Sequence, residues 1–162
     1  MAFLTQQMNV LLQSPILGQL DLIPAPNVVS AQIYVSSVAY IQVGQTVKLV
    51  AGTSGAIVVD AHTGPTDASL VFGVVIYNER QNIYAAGSYC EVATAESYVY
   101  LLSSAAIARG AIVATTAGVS GTSDPTVATD ATSTHNETGY AVDAASAANQ
   151  LIRVRISPFT HV

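Results

Sequence analysis

From Ser30 onward the apolar residues of this chain come in short β-branched and aromatic runs, each bounded by Gly, Asn or Asp. That pattern commits the chain to strands. The runs are Ile33 to Ile41, Thr46 to Ala51, Ala56 to Asp60, Leu70 to Tyr77, Tyr89 to Thr94, Tyr98 to Leu102, Ala111 to Thr115, Gly139 to Ala144 and Leu151 to Ser157. Short strands at this spacing predict an all-β barrel or sandwich. The last run is the clearest. Leu151, Arg153 and Arg155 alternate with Ile152, Val154 and Ile156, a period of two that buries one face and leaves cations on the other.

A weaker pattern recurs as IQVGQTVKL, YAAGSYCEV and IARGAIVAT. In each, a glycine lies three positions after one apolar residue and three before another. Gly44, Gly87 and Gly110 are therefore expected to make tight turns that launch strands, with Val47, Cys90 and Val113 facing the core. The Ser/Thr/Asp-rich stretch from Gly118 to Asn136 is expected to be a surface loop. Asp143 to Gln150 reads either as one helical turn or as a small-residue loop.

Residues 1–30 differ. Pro15, Pro24 and Pro26 forbid a continuous helix or an interior strand, so this part is expected to be an extended arm ahead of a β-domain spanning 31–162. The arm carries Phe3, Leu4, Val10, Leu11, Leu12, Ile16, Leu17, Leu22 and Ile23. Each such side chain costs roughly 1.5–3 kcal/mol if left in water. The arm must therefore lie on a partner or on its own domain, and these nine residues are the candidate partner contacts.

Composition narrows the function. Of 162 residues, 51% are hydrophobic and only 9% charged, against about 25% charged in an average domain. No apolar run approaches the roughly 20 residues that span a bilayer, so the deficit suits a subunit covered by neighbours, since charge is depleted at interface cores. A net charge of −5 with five fixed cations argues against nucleic acid as a partner. A single cysteine, Cys90, leaves no intramolecular disulfide. The N-terminus shows no secretory signal, so synthesis in a cytoplasm is expected.

The chemistry-bearing residues do not converge. Asp60 and His62 stand two apart with Asp67 following, a spacing that can hold a metal or orient an imidazole, but a polar turn at HTGPTD accounts for them better. His135 and His161 lack the partners a zinc site needs. There is no G-x-S-x-G elbow, and GTSGA at Gly52 is no phosphate loop. The sequon Asn136-Glu137-Thr138 is attributed to chance. No catalytic residue, metal ligand or cofactor is expected. Among the tyrosines, Tyr98 and Tyr100 share a strand face. With Tyr34 and Tyr40 they are the aromatics a carbohydrate-binding β-module would need, which is the alternative from a different class.

Four stretches in order, YIQVGQTVKLV, LVFGVVIYN with AAGSYCEVAT, SSAAIARGAIVATTAGV and GYAVDAASAANQLIRVRISP, resemble the decoration, or structural cement, proteins of tailed-phage capsids. The resemblance runs from about Ser36 to Pro158 and does not include the arm or the 118–136 stretch. It implies a compact β-barrel or β-tulip domain. It also implies a homo-oligomer, trimer or dimer, bound to the major capsid protein on the outside of the virion, where it clamps neighbouring capsomers without cofactor or catalysis. A low-copy head-fibre or minor head component is the nearest alternative.

Overall fold

The alternation of the last run holds in three dimensions: Ile152, Val154 and Ile156 are buried while Leu151, Arg153 and Arg155 remain partly open. The structure is a computed structural model that describes residues 17–21, 25–34, 40–51, 55–78, 81–117, 123–130, 132 and 134–160. Among these there are thirteen strands and no helix. They are β1 (Leu20–Asp21), β2 (Val28–Ile33), β3 (Tyr40–Gln42), β4 (Thr46–Leu49), β5 (Val58–Ala61), β6 (Gly73–Val75) and β7 (Ile83–Ala85). β8 (Tyr89–Ala93), β9 (Tyr98–Ser103), β10 (Ile112–Ala117), β11 (Ser123–Thr129), β12 (Asn136–Ala141) and β13 (Leu151–Thr160) complete the set.

The expected barrel is present twice. β2-β5-β4-β6-β8 closes a first barrel, with β2 and β5 parallel and the other pairs antiparallel. The small β3–β7 ribbon adds Ile41 and Tyr84 to its core. The second barrel runs β9-β11-β10-β12-β13, and β13 returns to β9. β9 gives one edge to β13 and divides the other between β1, at Val99 and Tyr98, and the parallel β11, at Leu102 and Ser103. The two barrels share apolar packing, because Val74, Ile76 and Ala93 of the first join the core cluster of the second.

The glycine corners appear as expected. Gly44, Gly87 and Gly110 have φ of +85°, +81° and +81°. In each turn the N–H of the next residue donates to the carbonyl two before the glycine, Gln45 to Gln42, Ser88 to Ala85 and Ala111 to Ala108. This is the type II turn, which needs positive φ at its third residue. The flanking pairs Ile41/Val47, Tyr84/Cys90 and Ile107/Val113 are all buried.

A fourth corner of the same kind joins the barrels. Ser97 N–H donates to Thr94 O, Glu96 takes the third position at φ +71°, and Ala93 and Val99 are the buried flanks. A glutamate there hides the pattern from a search for glycine. Left-handed φ is costly for a residue with a Cβ, and the exposed ion pair of Glu96 with Arg155 returns little. Glu96→Gly is expected to stabilise the protein by about 0.5–1 kcal/mol, read as a raised thermal midpoint. A lowered one would mean that the carboxylate matters more than the strain.

Several boundaries differ from expectation. The Gly118 to Asn136 stretch is not wholly a loop, since Ser123–Thr129 forms β11 between β10 and β9. Its β-branched Thr and Val suit a strand: Val127 is buried, and the Thr126 and Thr116 hydroxyls meet at 2.5 Å. The expected strand from Ile33 to Ile41 divides into the end of β2 and the start of β3. β7 was not foreseen, and β13 continues to Thr160. Of the two readings of Asp143 to Gln150, the small-residue loop is the one present, with Ala145 bridging Ile107.

Candidate functional site

The most concentrated chemistry lies where the barrels meet, and it is occupied with holding them together. The turn after β5 brings His62 to full burial. Its Nδ1 accepts from Gly64 N–H at 3.3 Å, so Nε2 carries the proton and donates to Ser69 O at 2.9 Å. Both ring nitrogens are spent. Burial, opposed by the Ser69 carbonyl and Asp67, lowers the imidazole pKa and keeps the ring neutral. The carboxylate that acts on His62 is Asp67 rather than Asp60, whose Oδ1 accepts from the N–H of Ala61.

Asp67 is the hub of this turn. Burial disfavours its charge, but Lys48 Nζ at 2.9 Å and the N–H groups of Ser69 and Thr63 outweigh that and hold its pKa well below the usual carboxylate range. The second barrel grips the same loop through Asn136, the sequon residue. Its backbone N–H donates to Pro65 O at 2.8 Å, and its Nδ2 to Ser69 O at 3.0 Å and Asp67 O at 2.5 Å. Thr160 donates to its Oδ1 at 2.8 Å. Nearby, Thr46 and Thr115 hydroxyls meet across the junction at 2.9 Å.

Glu137 follows in β12 and is fully buried. Burial first, and then Asp130, push its carboxyl up to about 7, against a smaller opposing effect of His135. His135 itself pairs with Asp130 at 2.7 Å, not with Glu137. Between about pH 4.5 and 7 native Glu137 keeps a proton that the unfolded chain has lost, so stability falls as pH rises through that window. Glu137→Gln is expected to remove this fall. The difference in stability between variant and wild type should grow from pH 5 to pH 8 by at most about 3 kcal/mol. A constant difference in denaturant melts at the two pH values would refute it.

Cys90 is buried, and burial followed by Glu91 pushes its thiol up to about 11, which makes it an unreactive core residue. Among the described residues no three His, Cys, Asp or Glu side chains converge on a metal position. His161 lies outside the described residues.

Of the nine candidate contact residues in the arm, Leu17 is described and the other eight lie outside the described residues. Leu17 is half-buried and packs against the core of its own second barrel. The stretch it opens is stitched to both barrels. Gly18 N–H donates to Tyr100 O, Tyr77 N–H to Gly18 O and Tyr100 N–H to Gln19 O. Asp21 accepts from Arg153 at 3.1 Å, and Asp143 grips the same guanidinium through two bonds of 2.9 Å. The outer-face cation predicted at Arg153 is thus a strap that ties the arm to β13.

The exposed apolar surface is unevenly shared. Among the described residues ten large hydrophobic side chains are exposed, and nine of them, from Val28 to Tyr89, belong to the first barrel. Tyr34 and Tyr40 lie there, while Tyr98 and Tyr100 are half-buried on the second barrel, so the four form no common platform. A cavity of about 440 Å³ opens beside Leu17, Val43, Tyr77 and Ile83, without a titratable cluster to do chemistry.

The described residues thus form two closed barrels joined by the His62, Asp67 and Asn136 cluster, with most of the exposed large apolar side chains on the first. Residues 4–157 match the family described as structural cement protein (E217 gp24/Pam3 gp6). The chain belongs to that family. It is a phage virion protein with a structural role in the capsid, in a family whose members are typically not enzymes. A search of curated proteins gives no match.

Proposed function

We propose that the protein binds the outer surface of the major capsid protein lattice and holds neighbouring capsomers together, as a homotrimer or homodimer. The observation that carries this reading is membership of the cement family over nearly the whole chain. The exposed large apolar side chains of the first barrel support it, since contact with a shell would take them out of water. The apolar arm residues Phe3, Leu4, Val10, Leu11, Leu12, Ile16, Leu22 and Ile23 are proposed shell contacts. Leu17 lies at the foot of the arm, where the chain is anchored to its own fold. Many weak attachments repeated over a lattice give tight overall binding.

The test is quantitative. Densitometry of purified virions should give a copy number near that of the major capsid protein, whereas a handful of copies would favour a vertex or head-fibre component. Deleting residues 2–14 leaves the anchored stretch from Leu17 to Asp21 intact. It is expected to abolish binding to shells while the thermal midpoint stays the same. Full binding by the truncated protein would remove Phe3, Leu4, Val10, Leu11 and Leu12 from the contact.

A further inference from the structure

We propose that the outer face of the second barrel around Glu96 and Arg155 is where two copies of the protein meet, related by a two-fold axis. Such a pair deepens the reading above, which leaves dimer and trimer open, and rests on it for a place on the shell. The strained corner is the first sign. Three corners of this build carry Gly44, Gly87 and Gly110, yet the fourth carries Glu96 at φ +71°. Its carboxylate reaches Arg155, but the pair is open to water, with 58% and 43% of the two side chains exposed, and returns little within one subunit. A strained residue that its own fold does not need points to a task outside that fold.

The strands build an interface around this corner. β12, β13 and β9 set Tyr140, Arg155 and Tyr98 side by side in register. Their neighbours Ala141, Val154 and Val99 are buried, so the row faces outward. Phe159 stacks on Tyr140 with ring centroids 5.7 Å apart, and Tyr140 is the one exposed large side chain, among the described residues, outside the first barrel. Tyrosine, phenylalanine and arginine are enriched where proteins meet. The charges name the partner, because Glu96 and Arg155 put one acid beside one base. A two-fold axis lays the same patch against itself, so that Glu96 of each copy meets Arg155 of the other. Any other partner would have to present the same two charges in reverse order. The arm and the apolar side chains of the first barrel, assigned above to the shell, leave this face of the second barrel to a second copy.

Charge reversal in the full-length protein is the test. Sedimentation of wild type over a concentration series is expected to show a monomer–dimer equilibrium. Glu96→Arg sets base against base and Arg155→Glu acid against acid, so each alone should dimerise at least roughly tenfold more weakly. Mixed one to one, the two variants should form a heterodimer, because each then meets the opposite charge. Glu96→Gly decides the matter even where a reversal harms folding. With copies kept apart by dilution it should melt higher than wild type, yet at high concentration it should dimerise more weakly. A wild type that stays monomeric or forms a trimer, variants that dimerise like wild type, or a mixture that stays monomeric would each overturn the proposal. A dimer that responds to the reversals but binds no shells would remove the cement reading and leave this interface standing. Shell binding by a protein that fails these tests would do the reverse.

Discussion

Gly139→Ala is expected to leave no cooperatively folded protein at room temperature. Gly139 lies in β12 at φ +154°, in the half of conformational space that residues with a side chain avoid. The space is also taken. A Cβ there would stand 1.9 Å from the Arg155 carbonyl oxygen and 2.9 Å from Ser157 N. Both are backbone atoms of β13 and cannot turn aside as a side-chain tip can. The register of β12 on β13 slips between Glu137 and Gly139, so the glycine sits at an irregularity where the β13 backbone occupies the place of a side chain. Moving β13 would break its ladder with β9 as well as with β12. The cost should exceed about 5 kcal/mol, comparable to the entire stability of many domains. Gly110→Ala separates the two causes. Gly110 also has positive φ, but a Cβ there meets nothing within 4 Å, so only about 1–2 kcal/mol of backbone strain is expected. Circular-dichroism melts compare the two variants. A Gly139→Ala protein that melts within a few degrees of wild type would show that β12 can part from β13 at little cost.

Asn136→Ala should be the most damaging side-chain substitution at the junction, by about 2–4 kcal/mol. Asn136 is 5% exposed, and its amide reaches two carbonyls of the 62–69 turn while its oxygen takes the Thr160 hydroxyl. Alanine would leave those groups short of a partner in a place that water does not reach. Asn136→Asp keeps the volume but replaces the donor with a carboxylate facing two carbonyl oxygens, and should be at least as harmful. Hydrogen exchange should accelerate first in the turn around Asp67 and at the β12–β13 end. An aspartate variant as stable as wild type would mean that the amide bonds contribute nothing.

The corners at Gly44, Gly87 and Gly110 and the faces of β13 were legible because each is a local matter: a turn type demands a residue, and a pleat demands alternation. The fourth corner escaped because Glu96 accepts a strained backbone conformation that its identity does not advertise. β11 escaped because Ser, Thr, Asp and Gly look the same in a loop and in a strand until Val127 and the threonines find β10. Closure into two barrels depends on pairings between distant strands, such as β2 with β8 and β9 with β13, which no short-range period encodes. The junction was hidden most deeply. Asn136 and Glu137 stood out only as part of a chance sequon, and only the meeting of β12 with the 62–69 turn makes one a clasp and the other a buried, proton-holding group. His62 was legible as a structural residue, though with Asp67 rather than Asp60 beside it.

The divided edge of β9 has a consequence for the life of the subunit before assembly. Antiparallel β1 covers Tyr98 and Val99, while β11 covers only Leu102 and Ser103. Without β1, that half of the strand would present unpaired amides and carbonyls, the template on which proteins stack into aggregates. Two residues of the N-terminal segment, fastened by Asp21 to Arg153, therefore act as a stopper. The protein can then accumulate to high concentration without its copies pairing edge to edge.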